Sequence, residues 1–201
     1  MLHNTDLIDQ LNSNELDNWV QRKLAVANYN PPNDVSPHLR QAAVLLPLHF
    51  HEKQWNLLFT RRTETVIDHK GQVSFPGGAR EDFDLNAEAT ALRESFEEIG
   101  LQQTQVKILG MLPAFQSISS YQIVPVVARI HWPVKLTLSA AEVSRVFSIP
   151  VRWLAECDHW QERIYRQYPV IFYDQFDGEQ LWGITASITQ LFLRQMGWMA
   201  C

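Results

Sequence analysis

The stretch that decides the fold is residues 77–101, which read GGAREDFDLNAEATALRESFEEIGL. Its second half has helical periodicity, and the apolar residues that recur on one side are Ala89, Leu92, Phe96 and Ile99. Glu94, Glu97 and Glu98 stand at i, i+3 and i+4, so they share an arc of roughly 100° on the opposite side. Because like charges at this spacing repel by a few tenths of a kcal/mol per pair, this helix needs a compensating cation.

The glutamate face predicts a metal-dependent site for a phosphorylated substrate. Hard divalent cations such as Mg²⁺ take oxygen ligands, usually a few carboxylates together with water and substrate phosphate. Taken alone, the three glutamates are more typical of a solvated acidic helix face. The flanking glycines favour the metal site, because Gly77 and Gly78 provide a turn with exposed backbone carbonyls and Gly100 stands where a helix ends in the left-handed conformation.

This stretch resembles the Nudix box, whose pattern is Gly-x5-Glu-x7-Arg-Glu-(apolar)-x-Glu-Glu-x-Gly-(apolar). Gly78 is the leading glycine, and residues 93–101 match the second half, with Ser95 in place of an apolar residue. Asp84 stands where the first Glu is expected, and eight residues rather than seven separate it from Arg93. The resemblance implies an α/β fold of the Nudix type. This is an α/β/α sandwich in which a mixed sheet carries the box helix on one side and the C-terminal helix on the other, and the alternation of strands with two substantial helices fits that class.

The resemblance also implies roles for individual residues in a metal-dependent diphosphatase. The groups expected to bind Mg²⁺ or Mn²⁺ are the carboxylates of Glu94, Glu97 and Glu98 and the backbone carbonyl of Gly78. Arg93 is expected to orient a box glutamate through a charge-assisted hydrogen bond. Either Glu94 or Glu142 accepts the proton of the attacking water. Glu142 is a candidate because many Nudix proteins place an extra acidic residue in a comparable loop; its other interpretation is an ordinary acid at a helix start.

A second motif precedes the box. Residues 58–63 (LFTRRT) and 71–78 (GQVSFPGG) resemble the second motif of Nudix hydrolases of the coenzyme A type, Leu-Leu-Thr-x-Arg-Ser/Ala, then a basic residue, Gly, and Phe-Pro-Gly-Gly. The positions that match are Thr60, Arg62, Gly71, Phe75, Pro76, Gly77 and Gly78. Phe59, Thr63 and Ile67 depart from it, and His69 or Lys70 is the candidate replacement for the basic residue missing at Ile67. Members of this branch often carry the substitution seen at Asp84 and its longer spacing.

The resemblance to this branch implies hydrolysis of coenzyme A, or a derivative, to 4′-phosphopantetheine and adenosine 3′,5′-bisphosphate. Adjacent arginines offer bidentate donors suited to phosphate. The residues expected to bind the substrate are Arg61, Arg62, Gln72, Phe75 and Gly77. Two alternatives stay open: a Nudix hydrolase of another substrate (ADP-ribose, a dinucleotide or an oxidised nucleotide), and a Nudix-fold nucleotide-binding module without turnover. The intact set of box residues disfavours the second alternative.

Composition and length limit the remaining possibilities. A chain of 201 residues, 46% hydrophobic and 19% charged, suits one domain with modest additions. The net charge of −5 disfavours a nucleic-acid partner, and no apolar run approaches the roughly 20 residues that span a membrane. The N-terminus lacks the pattern of a signal peptide. The two cysteines, Cys157 and Cys201, form no disulfide framework and fit a reducing compartment, so a cytoplasmic protein is expected.

The chain divides into an N-terminal helical extension with a linker, residues 1–37, and a Nudix hydrolase domain, residues 38–201. Residues 5–28 are predicted to form one or two amphipathic helices, which can pack on their own core or on a second copy, so a homodimer stays open. Strands are predicted over residues 41–50, 54–60, 106–115, 123–130 and 163–173. A short helix is predicted over residues 150–156, and a C-terminal helix, starting near residue 181, is predicted to end at Met196.

Overall fold

The computed structural model describes residues 8–26, 39–64 and 71–199 of the chain. Its main sheet contains β1 (Arg40–His51), β2 (Gln54–Arg62), β3 (Val73–Ser74), β4 (Gly77–Ala79), β5 (Val106–Met111), β6 (Phe115–Gln116), β7 (Tyr121–Ile130) and β8 (Val143–Pro150). A second sheet contains β9 (Trp160–Tyr165), β10 (Tyr168–Phe176) and β11 (Glu179–Trp182). The α-helices are α1 (Ser13–Val26), α2 (Ala87–Ile99), α3 (Val151–Ala155) and α4 (Gly183–Met196).

Strand β1 organises the main sheet because it pairs with three other strands. It pairs in parallel with β7, whereas its other two partners, β2 and β4, are antiparallel, so the sheet is mixed. Strand β2 pairs with the end of β1, through residues such as Leu48 and Leu57. Strand β4 pairs with the beginning of β1, where Ala43 lies opposite Gly78. Strand β4, which contains Gly77 and Gly78 and is called the glycine strand below, therefore pairs with the part of β1 that β2 does not reach.

Each face of the main sheet carries its own apolar cluster. Leu58 and Phe59, neighbours in β2, point into opposite clusters, as strand alternation requires. Helix α2 packs on the face that contains Leu58, whereas α1, α3 and α4 pack on the face that contains Phe59. This arrangement confirms the predicted α/β/α sandwich with a mixed sheet. Among the described residues, no helix has the length and hydropathy needed to cross a membrane.

The predicted apolar side of α2 is wrong except at Ile99. The residues that the fold buries are Thr90, Ala91, Ser95, Glu98 and Ile99, and Phe96 is 51% exposed. Small side chains on the inner side let α2 approach the sheet closely. The hydroxyl of Ser95, which replaces an apolar residue of the box pattern, donates to the carbonyl of Ala91 at 2.7 Å and so needs no other partner.

The chain between residues 160 and 182 also differs from its prediction. The single strand predicted over residues 163–173 is a hairpin of β9 and β10, with a turn at Arg166 and Gln167, whose φ angles are 47° and 71°. Neither residue is a typical turn former, so no local pattern predicts a turn there. The predicted turn at Asp177 and Gly178 is confirmed, and it connects β10 to β11.

Cys157 is disulfide-bonded, contrary to the expectation of reduced cysteines, whereas Cys201 lies outside the described residues.

Helix α1 packs on its own chain. Its apolar residues Leu16, Val20 and Leu24 lie in the core cluster beneath α4. The buried carboxylate of Asp17 accepts from Lys107 of β5 and Arg129 of β7, each at 2.8 Å. These contacts fix α1 to the sheet. Within the predicted helical segment, the described residues include a helix over residues 13–26, and Ile8 is also helical. Residues 5–7, 27–28 and the predicted linker over 28–37 lie outside the described residues.

Replacement of Asp17 by Asn should lower the free energy of unfolding by about 2–4 kcal/mol, because it leaves the largely buried Arg129 without its charge partner. Urea denaturation measures the effect. The matched control is Asp174→Asn, at an exposed acid of β10, which should change stability by less than about 0.5 kcal/mol. Equal stability of the Asp17 variant and the wild type would contradict the proposed attachment of α1.

Candidate active site

Helix α2 begins and ends at well-defined caps. The side chain of Asn86 accepts from the backbone N–H of Ala89 at 2.9 Å, which satisfies a donor of the first turn. Gly100 adopts a left-handed conformation, with φ of 70°, and its N–H donates to the carbonyl of Phe96 at 2.9 Å. The predicted role of Gly100 is confirmed. Between these caps, Glu94 and Glu98 stand one turn apart on the same side of the helix.

The glycine strand β4 lies against these two carboxylates. A Cβ atom at Gly78 would lie 2.6 Å from the carboxylate carbon of Glu94, so a larger residue has no room there. Gly77 has φ of 154°, and a Cβ atom there would lie 2.3 Å from the carbonyl oxygen of Ala43. The N–H of Gly77 donates to Glu98 at 3.2 Å. Gly77 is therefore required by the backbone of β1, and the missing side chain at Gly78 leaves the carboxylate of Glu94 its present position.

Negative charge is concentrated at this contact. Glu98 is 2% exposed, and burial raises its pKa to about 8, with the carboxylates of Glu94 and Glu142 adding to the effect. Burial also raises the pKa of Glu94, and repulsion from Glu97 and Glu142 adds to it. The loop that contains Glu142 contacts α2: the N–H of Ser139 donates to the carbonyl of Glu98 at 2.9 Å, and the N–H of Glu142 donates to the carbonyl of Ser139 at 3.0 Å. A compensating positive charge comes from Arg62, whose Nη1 lies 3.6 Å from Glu98.

Arg93 connects the remaining acidic residues of the box. Its Nη1 lies 2.9 Å from the carboxylates of both Glu94 and Glu97. Its Nη2 donates to Asp84 and to the carbonyl of Ala79, each at 2.9 Å. Because Ala79 belongs to β4, the same guanidinium joins the glycine strand, the loop and the helix. Arg93 thus lies where it can orient Glu94 and Glu97.

Asp84 is a partner of Arg93, and sequence spacing alone does not identify this pair. It is 5% exposed, and it also accepts from the hydroxyl of Thr90 and the N–H of Glu81, each at 3.0 Å. Hydrogen bonds from Arg93 lower the pKa of Asp84 to about 2. The residue that departs from the box pattern therefore forms an ion pair with Arg93. Sequence reasoning missed Thr90, which carries no signal except its position six residues after Asp84.

The structure brings the expected metal-binding groups together only in part. Glu94 and Glu98 adjoin the glycine strand, whereas Glu97 is 52% exposed on its side chain and is bound by Arg93. Within the described ranges, no three His, Cys, Asp or Glu side chains are already arranged around one metal position. His49, considered as a ligand because His51 shares its strand face, is instead buried against Trp132, with ring centroids 4.2 Å apart.

The two adjacent arginines of β2 point in different directions. Arg61 is already bound by acids: its guanidinium donates to Glu64 at 3.2 Å and to the buried Glu179 at 3.4 Å. Arg62 faces Glu98, and its buried Nε has no hydrogen-bond partner among the described residues. Of the two, only Arg62 is directed at the box carboxylates, because successive side chains of a strand alternate between faces.

The other residues expected to bind the substrate support the backbone instead. The ring of Phe75 is buried and stacks on Phe59, with centroids 4.8 Å apart, so its side chain belongs to the core. The carbonyl of Gln72 accepts from the N–H of Arg62 at 3.0 Å and fixes the end of β2. Residues 65–70, which include Ile67 and its candidate replacements His69 and Lys70, lie outside the described residues.

Glu142 immediately precedes strand β8, so its interpretation as an acid at a helix start is wrong. Its backbone carbonyl accepts from the N–H of Thr63 at 2.9 Å, which attaches it to the end of β2. The site therefore combines four acidic residues, Glu94, Glu97, Glu98 and Glu142, with two arginines at a strand of two glycines. Such a site can neutralise and polarise a phosphorylated ligand with the help of a cation.

Comparisons with known proteins identify the family. The model of the NUDIX domain matches residues 38–168. The Nudix hydrolase NudL of Photorhabdus laumondii subsp. laumondii, named as uncharacterized, is 35% identical, and the match covers 83% of this chain and 90% of that protein. NudL of Escherichia coli K12, also named as uncharacterized, is 38% identical, with 79% and 83% covered.

Among solved structures, the MutT protein from Methanosarcina mazei Go1 superposes with a TM-score of 0.50 at 16% identity, covering 81% of this chain and 96% of that protein. At this identity the likeness supports the fold alone. The family model and the relatives agree with the glutamate helix and glycine strand described above. The chain therefore belongs to the Nudix hydrolase family, whose members act on pyrophosphate bonds.

Proposed function

We propose that the protein hydrolyses the diphosphate of coenzyme A, or of a coenzyme A derivative, to 4′-phosphopantetheine and adenosine 3′,5′-bisphosphate. The observation that carries the proposal is the approach of Arg62 to Glu98, at 3.6 Å. Arg62 belongs to the motif that resembles the coenzyme A branch, and Glu98 belongs to the box. The fold thus joins the residue expected to bind the substrate to the residues expected to act on it. We assign this activity to residues 38–201.

The carboxylates at the site fit a divalent cation. The buried Glu98 and the half-buried Glu94 both have raised pKa values because burial and neighbouring carboxylates disfavour their charged forms. We assign the carboxylates of Glu94, Glu97 and Glu98 and the carbonyl of Gly78 as the groups that hold Mg²⁺ or Mn²⁺. When bound, such an ion supplies a Lewis acid that neutralises the charge of the diphosphate oxygens.

Arg93 and Asp84 hold the carboxylates in place before the substrate arrives. Arg93 restrains Glu94 and Glu97 through charge-assisted hydrogen bonds of 2.9 Å, and Asp84 fixes the guanidinium from the other side. Groups that are already oriented need no rearrangement as charge develops in the reaction. Asp84 acts through Arg93 and is a positioning residue.

The reaction is the attack of water on one phosphorus of the diphosphate, with release of the other phosphate. Glu94 or Glu142 accepts the proton of the attacking water: Glu94 where its carboxylate is free of the cation, and Glu142 where all three box glutamates hold the cation. The guanidinium of Arg62 donates hydrogen bonds to the phosphate oxygens, with its buried Nε among the donors that lack a partner in the described part of the chain.

Product analysis by mass spectrometry tests the substrate. The purified protein is incubated with coenzyme A, ADP-ribose and a reduced dinucleotide, each with Mg²⁺, with Mn²⁺ and with a chelator. We expect release of 4′-phosphopantetheine from coenzyme A that depends on the metal ion. Cleavage of another nucleotide alone would retain the Nudix chemistry and reject coenzyme A as the substrate, with Ile67 the first residue to examine. Absence of turnover with retained metal binding would favour the non-catalytic module.

Replacement of Glu98 by Gln separates metal binding from folding. The neutral amide avoids the penalty of burying a carboxylate, so the metal-free variant should be at least as stable as the wild type. It should lose the rise in melting temperature that Mn²⁺ gives the wild type, and kcat should fall by at least about a hundredfold. Glu88→Gln, in the first turn of α2, is the control that should keep both properties. Turnover of the Glu98 variant at the wild-type rate would reject the assignment.

Replacement of Asp84 by Asn tests the positioning of Arg93. We expect kcat to fall by about tenfold, with KM nearly unchanged, because Arg93 loses its charged partner. Because the folded-state pKa of Asp84, about 2, lies below the ordinary aspartate value of 3.8, its carboxylate stabilises the fold above about pH 4, and this contribution is lost as the pH falls towards 2. The stability difference between wild type and variant, from urea denaturation, should therefore narrow below pH 4. A difference independent of pH would contradict this ion pair.

A further inference from the structure

Strand β8 contains a bulge next to the candidate active site. Arg61 of β2 lies opposite Arg145 of β8, but the next residue, Arg62, lies opposite Val143. Ser144 is therefore the extra residue on the β8 side. A bulge of this kind bends the strand and changes the direction in which the following side chains point.

Burial shows the same break in alternation. Phe147 and Ile149 of β8 point into the apolar cluster shared with α4. Regular alternation would place Val143, which also has an odd number, on that same face. Val143 is instead buried in the opposite cluster, beneath α2. The bulge at Ser144 has thus turned the start of β8 towards the box helix.

The hydroxyl of Ser144 spans the bulge. Its Oγ lies 3.1 Å from the carbonyl oxygen of Arg61 and 3.2 Å from that of Arg62. A hydroxyl carries one proton, which it donates to either carbonyl or shares between them. The bond attaches the extra residue of β8 to the two β2 residues whose regular pairing the bulge interrupts.

Glu142 and Arg62 depend on this arrangement. Beyond the bulge, the carbonyl of Glu142 accepts from the N–H of Thr63 at 2.9 Å, and the hydroxyl of Thr63 donates to the carbonyl of Ala141 at 3.0 Å. Regular pairing would put Ser144 opposite Arg62 and displace Glu142 by one residue, about 3.3 Å along the strand. Such a displacement would move Glu142 relative to α2, to which its loop is attached: the N–H of Ser139 donates to the carbonyl of Glu98 at 2.9 Å.

We infer that Ser144 is a positioning residue whose hydroxyl holds a bulge that aims Glu142, and Arg62 across from it, at the carboxylates of α2. The inference rests on the proposed function, since it gives Glu142 and Arg62 a part in diphosphate hydrolysis. It adds a residue that lies outside both sequence motifs and contributes only a bond to backbone carbonyls.

The test compares Ser144→Ala with Ser144→Thr, which keeps a hydroxyl. Steady-state kinetics are measured on coenzyme A and, in parallel, on ADP-ribose, each with Mg²⁺. We expect Ser144→Ala to lower kcat by about tenfold or more with KM changed by less than about threefold, because a catalytic group displaced by about 1 Å loses much of its effect. Ser144→Thr should restore most of the rate. The control is Ser117→Ala, which removes a comparable serine hydroxyl bond to the backbone, to Tyr121, in another turn.

A double-mutant cycle with Glu142→Gln separates positioning from general destabilisation. If Ser144 acts through Glu142, Ser144→Ala should lower kcat far less in the Glu142→Gln protein than in the wild type. Equal losses in both proteins, or a wild-type kcat for Ser144→Ala, would overturn the inference. If Ser144→Ala does not fold, Thr63→Val removes the neighbouring bond to Ala141 and should give the same kinetic pattern. If the wild type turns over ADP-ribose but not coenzyme A, the proposed substrate is rejected and the inference about Ser144 is still tested. The kcat values of the double-mutant cycle are then measured with ADP-ribose.

Discussion

The contact of two glycines of β4 with the buried Glu98 and the half-buried Glu94 is the constraint on which the rest of this structure depends. A carboxylate as buried as that of Glu98 needs a donor or a cation, and the N–H of Gly77 provides one of its few donors. No other residue fits at Gly77, because a Cβ atom would collide with the backbone of β1, and a Cβ atom at Gly78 would displace the carboxylate of Glu94. The short approach of α2 to β4 also explains why small residues such as Ala91 and Ser95 are buried on the inner side of the helix, since large apolar residues would hold the helix away from the strand.

Charge balance explains the arrangement around that contact. The box glutamates and Glu142 repel one another, and the protein holds them together with Arg93 on one side and Arg62 on the other. Asp84 then keeps Arg93 in place from the loop. Burial and mutual repulsion still raise the pKa values of Glu94 and Glu98, and a divalent cation bound to their carboxylates would relieve that effect. The site is therefore prepared for a cation and an anionic substrate together.

Long-range contacts decide the surroundings of several residues that local patterns single out. Periodicity identified α2 correctly but placed Phe96 on the apolar side, whereas Phe96 is exposed and Ser95 is buried, because hydrophobicity does not show how closely a helix must approach its neighbour. The motif grouped Arg61 with Arg62, whereas the structure binds Arg61 to Glu64 and Glu179. Phe75 matches the motif, but its ring serves the core. In each case, contacts with residues far away in the sequence set the burial or the partners of a residue, and a local pattern does not show such contacts.

The sequence by itself determined the fold class, the family, the box helix with its C-terminal glycine, and the strands β1, β2, β5 and β7, because periodicity, glycine positions and spacing are local properties of the chain. It also marked the box glutamates and Arg93 as candidates. Only the tertiary structure decided that Asp84 binds Arg93, that Arg62 meets Glu98, and that a bulge at Ser144 turns the start of β8 towards α2. These contacts join elements far apart in sequence or depend on strand register, which is fixed when the two sheet faces are buried rather than by any local pattern.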